Sequence, residues 1–307
     1  MRKDLILGPS VIVLILALFL WQTAVFAEPA SNAKKPGVHQ LYNPIRLAIT
    51  PEGNLLVSDY HLGMIVTVDR KDLKTTRWFP VEGKPLGVAY AKGHIYVGNA
   101  SKKCVEVYSR GGKKLYRLEG EIIHPTDISV DETDNYIFVV DGLGKCVKVF
   151  RLNKGTFIRA IPSSPDNNIL ANPTGIAVDP VNKEVFVSDY GDDNLYIKPR
   201  IQVFDYNGDL VSTVSGKAGM LGTRFSRPQG LAVDESGHVF MVDCYSGEIM
   251  AFDRYSGSLL KTLGGFGTEP GQLQLPLDIV IDPTSRDIYV TNNRAGAIAI
   301  FPQGGQL

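Results

Sequence analysis

The amino-acid sequence predicts an all-β fold, a six-bladed β-propeller built from four-stranded antiparallel blades. A proline opens each of six repeat units, and an Asp or Asn about fifteen residues later closes the second strand of that unit. The prolines recur at intervals of about 40 to 55 residues, a period that matches a four-stranded blade rather than a helical repeat. The prolines are Pro44, Pro85, Pro125, Pro173, Pro228 and Pro276, and the closing residues are Asp59, Asn99, Asp141, Asp189, Asp243 and Asn292.

Each unit divides into four short β-rich runs separated by turn residues, which we designate strands a to d. The second run is apolar on both faces in every unit, as in Val185-Phe186-Val187, and this is expected of a strand packed between neighbouring blades. Outer runs such as 114–118 alternate apolar and polar residues, as expected at the rim. In the fourth unit the four runs are Gly175–Asp179, Glu184–Asp189, Ile201–Asp205 and Leu210–Val214.

The sixth unit lacks an outer strand of its own. After Ile298–Phe301 only the short, Gly-rich stretch 302–307 follows. Because an unpaired edge strand is costly and propellers protect their edges, the run Val38–Tyr42 is predicted to supply the missing strand and close the ring.

Two segments resemble the repeats of the NHL family of β-propellers. Residues Leu263–Leu273, continuing to Pro276 and Asp278–Asp282, resemble the linker and first strand of an NHL repeat, and Arg200–Asp205 resembles its third strand. The resemblance covers about residues 38–301 and implies a six-bladed propeller. It is weakest in the second unit, where Ala89-Tyr90 and Asn99 replace the usual acidic residues.

Residues 1–27 have the pattern of an export segment. Arg2 and Lys3 precede an uncharged apolar run at 5–27, and Val25-Phe26-Ala27 offers small residues at the positions that a signal peptidase inspects. The run is also long enough to remain as a membrane anchor, so cleavage and retention both stay open. Either outcome places the propeller, residues 38–307, in the periplasm, outside the cell or on the outer side of the inner membrane, after a linker at 28–37.

Charge argues against a polyanionic partner. Lys plus Arg and Asp plus Glu each number 32, so the formal net charge is zero and no overall field attracts nucleic acid. RNA binding, which the NHL resemblance would allow, conflicts with this balance and with export. Contact with a membrane is expected only through residues 5–27, if they are not cleaved.

The strand order divides the loops between two faces. The d-to-a connections and b-to-c loops share one, here termed the long-loop face, while tight a-to-b and c-to-d turns form the short-turn face. Long loops on one face of a rigid scaffold indicate that a partner binds at that face. The alternative is that these loops are neutral insertions. Tyr and Arg are enriched in binding hot spots. The predicted binding residues are Tyr60, His61, Tyr190, Asp192, Asp193, Tyr196, Arg224, Phe225, Tyr245 and Arg294.

A zinc site is not predicted. The peptide-amidating lyases, which the chain resembles at the level of fold, hold zinc with histidines, some of them directly after the blade-opening proline. No zinc ligand stands at those positions, the five histidines are scattered, and no cofactor or catalytic residue is predicted. The positions hold Ile45, Leu86, Thr126, Thr174, Gln229 and Leu277.

A calcium ion, which binds oxygen ligands, is an alternative to the absence of a metal at two places. The cluster Asp192-Asp193-Asn194 lacks the spacing of a calcium loop, which favours a solvated acidic loop. Lactonase propellers bind calcium through carboxylates and amides along the axis, and Arg46, Asp127 and Asp278 are predicted to lie near the channel mouth. The Asp59 series is expected instead to accept hydrogen bonds from backbone groups.

The cysteines are predicted to form no disulfide. Cys104 and Cys146 begin the third strands of neighbouring blades, where equivalent positions lie about 10 Å apart, beyond the roughly 7 Å that a bridge spans. Cys244 falls in a loop of the fifth unit.

Taken with the loop asymmetry, the sequence predicts an exported, non-catalytic propeller that binds a protein or peptide through its long-loop face. The alternative is a hydrolase or lyase, lactonase-like or amidating-lyase-like, with a metal near the channel.

Overall fold

The computed structural model describes residues 41–163, 170–215 and 225–302. Within these ranges the chain is an all-β six-bladed propeller with antiparallel blades, which confirms the predicted fold class. The described part contains one short 3₁₀ helix, Asp193–Leu195, and no helix there is long or apolar enough to span a membrane. The proposed export segment and linker, residues 1–37, lie outside the described residues.

The first three blades run from the innermost strand to the rim in chain order. Blade 1 comprises β1 (Pro44–Ile49), β2 (Leu55–Asp59), β3 (Met64–Val68) and β4 (Thr75–Pro80). Blade 2 comprises β5 (Pro85–Ala91), β6 (His94–Asn99), β7 (Cys104–Ser109) and β8 (Lys114–Arg117). Blade 3 comprises β9 (Pro125–Asp131), β10 (Tyr136–Asp141), β11 (Cys146–Arg151) and β12 (Phe157–Ile161).

The remaining blades follow the same order. Blade 4 comprises β13 (Pro173–Asp179), β14 (Glu184–Asp189), β15 (Arg200–Asp205) and β16 (Leu210–Val214). Blade 5 comprises β17 (Pro228–Val233), β18 (His238–Asp243), β19 (Glu248–Asp253) and β20 (Leu259–Gly264). Three strands of blade 6 are described: β21 (Pro276–Ile281), β22 (Ile288–Asn292) and β23 (Ala297–Phe301).

The innermost strands form a closed ring around a central channel. Each strand a contacts strand a of the next blade, and β21 of the last blade contacts β1 of the first. The second strands are buried on both faces, as their apolar sequences predict, and the core consists of apolar clusters between adjacent blades. Phe138 of blade 3, for example, packs in one cluster with Val187 and Phe204 of blade 4.

Ion pairs join the blades on the short-turn face. Arg254 of blade 5 binds both Asp179 and Glu184 of blade 4, and Arg286 of blade 6 binds Asp234 of blade 5 at 2.5 Å. In both cases an Arg of one blade contacts an Asp at the end of strand a of the preceding blade: Asp179 is the last residue of β13, and Asp234 directly follows β17. Arg70 of blade 1 makes the same kind of contact with Asp282 of blade 6.

Two details differ from the sequence prediction, and a third lies largely outside the described residues. In blade 2 the missing interblade carboxylate corresponds to Ala91, which aligns with Asp131 and Asp179, and not to Ala89-Tyr90. The outer strand β8 is exposed along its whole length rather than alternating, because it forms the rim of its blade. Of the predicted closing run, only Leu41 and Tyr42 are described, and their carbonyls lie near Gly296 of blade 6. The cysteines are free thiols.

Candidate functional site

A bulge at the start of strand a controls which side chains enter the channel. Pairing of strands a and b shifts register beside the second residue after the blade-opening proline, and a bulge re-aims the side chain it carries. That position holds Gly in blades 2, 4 and 5. A Cβ on Gly175 would lie 2.3 Å from the carbonyl oxygen of Gln229 in the next blade, so a side chain does not fit there. The other three blades place Arg46, Asp127 and Asp278 at this position.

The guanidinium of Arg46 lies inside the ring of innermost strands, and each of its three nitrogens donates to a backbone carbonyl. Its Nε donates to the Thr126 carbonyl at 3.1 Å, one terminal nitrogen donates to the Leu277 carbonyl at 2.6 Å, and the other donates to the Thr174 carbonyl. These acceptors belong to blades 3, 6 and 4. Arg46 is 3% exposed and therefore links four blades from inside the ring.

Two buried carboxylates flank this guanidinium. Asp127 lies 3.7 Å and Asp278 3.5 Å from Arg46 nitrogens. Asp127 also accepts from the Ile176 amide at 3.0 Å, and Asp278 from the Leu47 amide at 2.8 Å, so each carboxylate joins strand a of another blade. The structure thus brings together the three residues predicted at the channel mouth, and buries them inside the channel.

Burial changes how these carboxylates titrate. Desolvation, reinforced by the nearby charge of Asp127, raises the pKa of Asp278 to about 8 despite the attraction of Arg46. Desolvation also raises the pKa of Asp127. Near neutral pH the cluster therefore retains a proton, and the place between the carboxylates is filled by a guanidinium.

A cavity of about 620 Å³ extends from these carboxylates toward the short-turn face. Its wall is formed by the strands a, whose small residues Ala48, Ala89 and Ala177 leave room around the axis, and charged side chains such as Arg70 and Glu132 line it farther out. Sequence reasoning placed binding on the opposite face and did not predict this cavity. The recurring small residues two positions after the bulge are the signal that indicates it.

The acidic residues that close the second strands have a structural role in the long-loop face. Asp59 accepts from the Tyr42 and Asn43 amides, and Asp189 accepts from the Ala171 and Asn172 amides. Each carboxylate therefore fixes the d-to-a linker beside the b-to-c loop of the same blade. Asp141 and Asp243 make the same paired contacts in blades 3 and 5.

Stacked aromatic and cationic side chains lie on the long-loop face. The Arg227 guanidinium lies 4.0 Å from the Tyr190 ring centroid and 5.5 Å from that of Tyr245. The Lys84 ammonium lies 4.9 Å from the Tyr60 ring centroid. The predicted His61 stacks on Tyr42, with ring centroids 4.3 Å apart. Sequence reasoning named the tyrosines but missed Lys84 and Arg227, because the stacking partners belong to different blades.

The other predicted binding residues have different environments. Asp192 caps the 3₁₀ helix by accepting from the Asn194 amide at 2.9 Å, and Asp193 lies 3.8 Å from the Lys198 ammonium. Tyr196 follows that helix and is 88% exposed.

Arg294 and Phe225 complete the described part of the predicted set. Arg294 is exposed, whereas Phe225 is 3% exposed and packs on Phe252, so its ring belongs to the core rather than to the binding surface. Arg224 lies outside the described residues.

The donor atoms present do not fit a catalytic zinc ion. The side chains directly after the blade-opening prolines contain no zinc ligand, and in the described part of the chain no three His, Cys, Asp or Glu side chains are grouped for metal binding.

Comparison with known proteins supports the fold. No protein-family model matches the chain. The peptidyl-glycine alpha-amidating monooxygenase A of Xenopus laevis is 26% identical over 239 residues, which cover 74% of this chain and 23% of that protein. The chain thus spans about a quarter of the length of this relative.

Three solved structures share the architecture. Hydrazine synthase of Kuenenia stuttgartiensis aligns with a TM-score of 0.64 and 13% identity, over 92% of this chain and 100% of that one. A gluconolactonase from Xanthomonas campestris aligns with a TM-score of 0.65 and 16% identity, over 86% and 87%. A protein of unknown function from Bacteroides thetaiotaomicron aligns with a TM-score of 0.66 and 17% identity, over 89% and 74%. At these identities the likeness concerns the fold alone.

Proposed function

We propose that this chain is an exported, non-catalytic propeller of the NHL type that binds a protein or peptide through its long-loop face. The observation that carries the proposal is the set of stacked tyrosines and cations at that face. Arg227 lies between Tyr190 and Tyr245, and Lys84 lies over Tyr60. Aromatic and Arg side chains held by rigid loops provide large contact areas at low entropic cost.

The distribution of exposed apolar side chains supports the same face. Among the described residues the large exposed apolar side chains of the long-loop face outnumber those of the short-turn face, which are Val181 and Tyr255. Those of the long-loop face are Tyr42, Ile123, Leu143, Leu195, Tyr196, Tyr245 and Phe266. A surface of this kind is typical of a protein-binding site.

The proposal is tested by capturing a partner from the extracytoplasmic fraction of the producing cell. Replacing Tyr190 and Tyr196 by Ala should weaken capture by about 2 kcal/mol for each true hot spot, while the melting temperature stays nearly unchanged. Tyr255→Ala is a matched control, since this tyrosine is 79% exposed on the short-turn face. Loss of capture in Tyr255→Ala alone would contradict the assignment of the face.

Export is part of the proposal and has its own measurement. The apolar run at 5–27 and the small residues before Glu28 support removal of residues 1–27. Mass spectrometry of the protein recovered from cells should find Glu28 as the first residue, or the intact chain in the membrane fraction. An intact chain in the cytosol would contradict export.

A hydrolase or lyase that works at the channel is the second candidate. It is supported by the 26% identity to the amidating monooxygenase, and it is opposed by the guanidinium of Arg46 between the axial carboxylates. Metal analysis of the purified protein, together with assays on peptidyl-glycine and lactone substrates, distinguishes the candidates. Metal-dependent turnover that Asp278→Asn abolishes would favour the enzyme.

A further inference from the structure

Two cation–tyrosine pairs lie at the inner rim of the long-loop face. In one, Lys84 lies over Tyr60, and in the other Arg227 lies over Tyr190. In both pairs the tyrosine begins a b-to-c loop, and the cation directly precedes the opening proline of the following blade. The two pairs are therefore built from equivalent positions of the repeat.

The pairs lie on opposite sides of the channel. Lys84 and Tyr60 belong to blades 2 and 1, and Arg227 and Tyr190 belong to blades 5 and 4. The strands a contact each other in chain order and close into a ring, so blades separated by three positions face each other across the axis. A half-turn about the channel thus relates one pair to the other.

The backbone holds both tyrosines in place before any ligand binds. The Tyr60 amide donates to the Asn43 carbonyl at 3.1 Å, and the Tyr190 amide donates to the Asn172 carbonyl at 3.3 Å. The carboxylates of Asp59 and Asp189 fix the same linkers. Preorganised contacts of this kind lower the entropic cost of binding.

The inner rim carries positive charge and no negative charge at the equivalent positions. In the described structure neither Lys84 nor Arg227 forms an ion pair with a carboxylate, and burial lowers the pKa of His124, so its ring is neutral near pH 7. The inner rim consists of the residues directly before each opening proline and directly after each closing Asp or Asn. Its remaining positions are uncharged; they are Asn43, Ala100, Gly142, Asn172, Cys244, Leu275 and Asn293.

Two acidic side chains of the same loops, Glu82 and Asp193, lie near other cations. Glu82 lies 2.6 Å from the Lys102 ammonium, and Asp193 lies 3.8 Å from that of Lys198. At the positions directly before the opening proline and directly after the closing Asp or Asn, the positive charge therefore comes from Lys84 and Arg227, although the chain as a whole is neutral.

We propose that an acidic peptide segment binds across the channel mouth, with one carboxylate at the Lys84–Tyr60 pair and another at the Arg227–Tyr190 pair. The guanidinium of Arg227 provides a fork of N–H donors for a carboxylate, and the tyrosine rings provide flat surfaces for the intervening peptide. This inference rests on the proposed function and specifies the chemistry of the partner.

The probe is a short fluorescein-labelled peptide of alternating Glu and Ser, compared with the same peptide carrying Gln in place of Glu. Fluorescence anisotropy should show binding of the Glu peptide, with one peptide per chain and weaker binding at higher salt. Lys84→Gln and Arg227→Gln should each weaken binding about tenfold, as expected for loss of one charge-assisted contact. Arg117→Gln and Lys113→Gln remove equivalent charges from exposed positions elsewhere and should leave binding unchanged.

Several results would overturn the inference. They are equal binding of the Gln peptide, two peptides per chain, unchanged binding in Lys84→Gln or Arg227→Gln, and tighter binding of single-stranded RNA through the same residues. If the Glu peptide fails to bind while partner capture still depends on Tyr190 and Tyr196, the acidic chemistry is wrong and the binding face stands. If capture is also insensitive to these tyrosines, both proposals fail.

Discussion

Replacing Arg46 by Met tests whether the buried charge cluster holds the ring together. Met keeps much of the side-chain volume but removes the guanidinium that donates to three carbonyls and lies 3.5 and 3.7 Å from the carboxylates of Asp278 and Asp127. Breaking a buried ion pair by removing one partner costs about 3–5 kcal/mol, because the remaining charge is buried and uncompensated. The free energy of unfolding of a typical domain is roughly 5–15 kcal/mol, so this loss is a large part of the total.

The measurement is urea unfolding at neutral pH, followed by circular dichroism. We expect Arg46→Met to lower the free energy of unfolding by about 3–5 kcal/mol. The deficit should shrink at acid pH, where the carboxylate charge that remains in the Asp127–Asp278 pair at neutral pH is also protonated and no longer needs a cation. Adding Asp127→Asn and Asp278→Asn to the variant should recover much of the loss, because no buried carboxylate charge then remains.

An exposed arginine provides the control. Arg117→Met on β8 removes a positive charge from the rim and should change stability by less than about 0.5 kcal/mol. The reasoning is refuted if Arg46→Met unfolds like Arg117→Met, or if the two Asn substitutions bring no recovery.

Three further predictions concern stability. Burial raises the pKa of Asp278 from 3.8 to about 8, so between these pH values the folded state binds more protons than the unfolded state. The free energy of unfolding should therefore fall as the pH rises from about 4 to about 8. Asp278→Asn should flatten this pH dependence, measured by urea unfolding. Arg254→Met removes the buried contacts to Asp179 and Glu184 across blades 4 and 5. The free energy of unfolding should fall by about 3–5 kcal/mol, seen as a lower melting temperature, whereas Tyr255→Ala beside it should melt near the wild type. Deleting residues 38–42 should expose the edge of blade 6 and cost several kcal/mol, and unchanged melting would mean that another segment closes the ring.

The repeat itself made most of the fold predictable. Each blade needs a buried second strand, a tight turn and an Asp or Asn that accepts hydrogen bonds from loop amides, and these local requirements recur in the sequence at regular spacing. The role of Asp59 and its equivalents as backbone acceptors followed from that recurrence. The grouping of Arg46, Asp127 and Asp278 followed as well, since they occupy one position of the repeat in three blades.

Contacts between blades were not predictable in the same way. A loop aromatic such as Phe225 does not reveal in the sequence that it turns inward to pack on Phe252. The stacking of Arg227 on Tyr190 joins positions from different repeat units, and only the angle between blades sets their distance.

The sequence by itself determined the number of blades, the order of strands and the division of loops between two faces, because periodicity and turn chemistry are local properties of the chain. Only the tertiary structure decided that Arg46 fills the axis, that a cavity of about 620 Å³ lies on the short-turn side, and that two cation–tyrosine pairs face each other across the mouth. These features depend on closing the ring, which brings residues of distant repeats to a common centre.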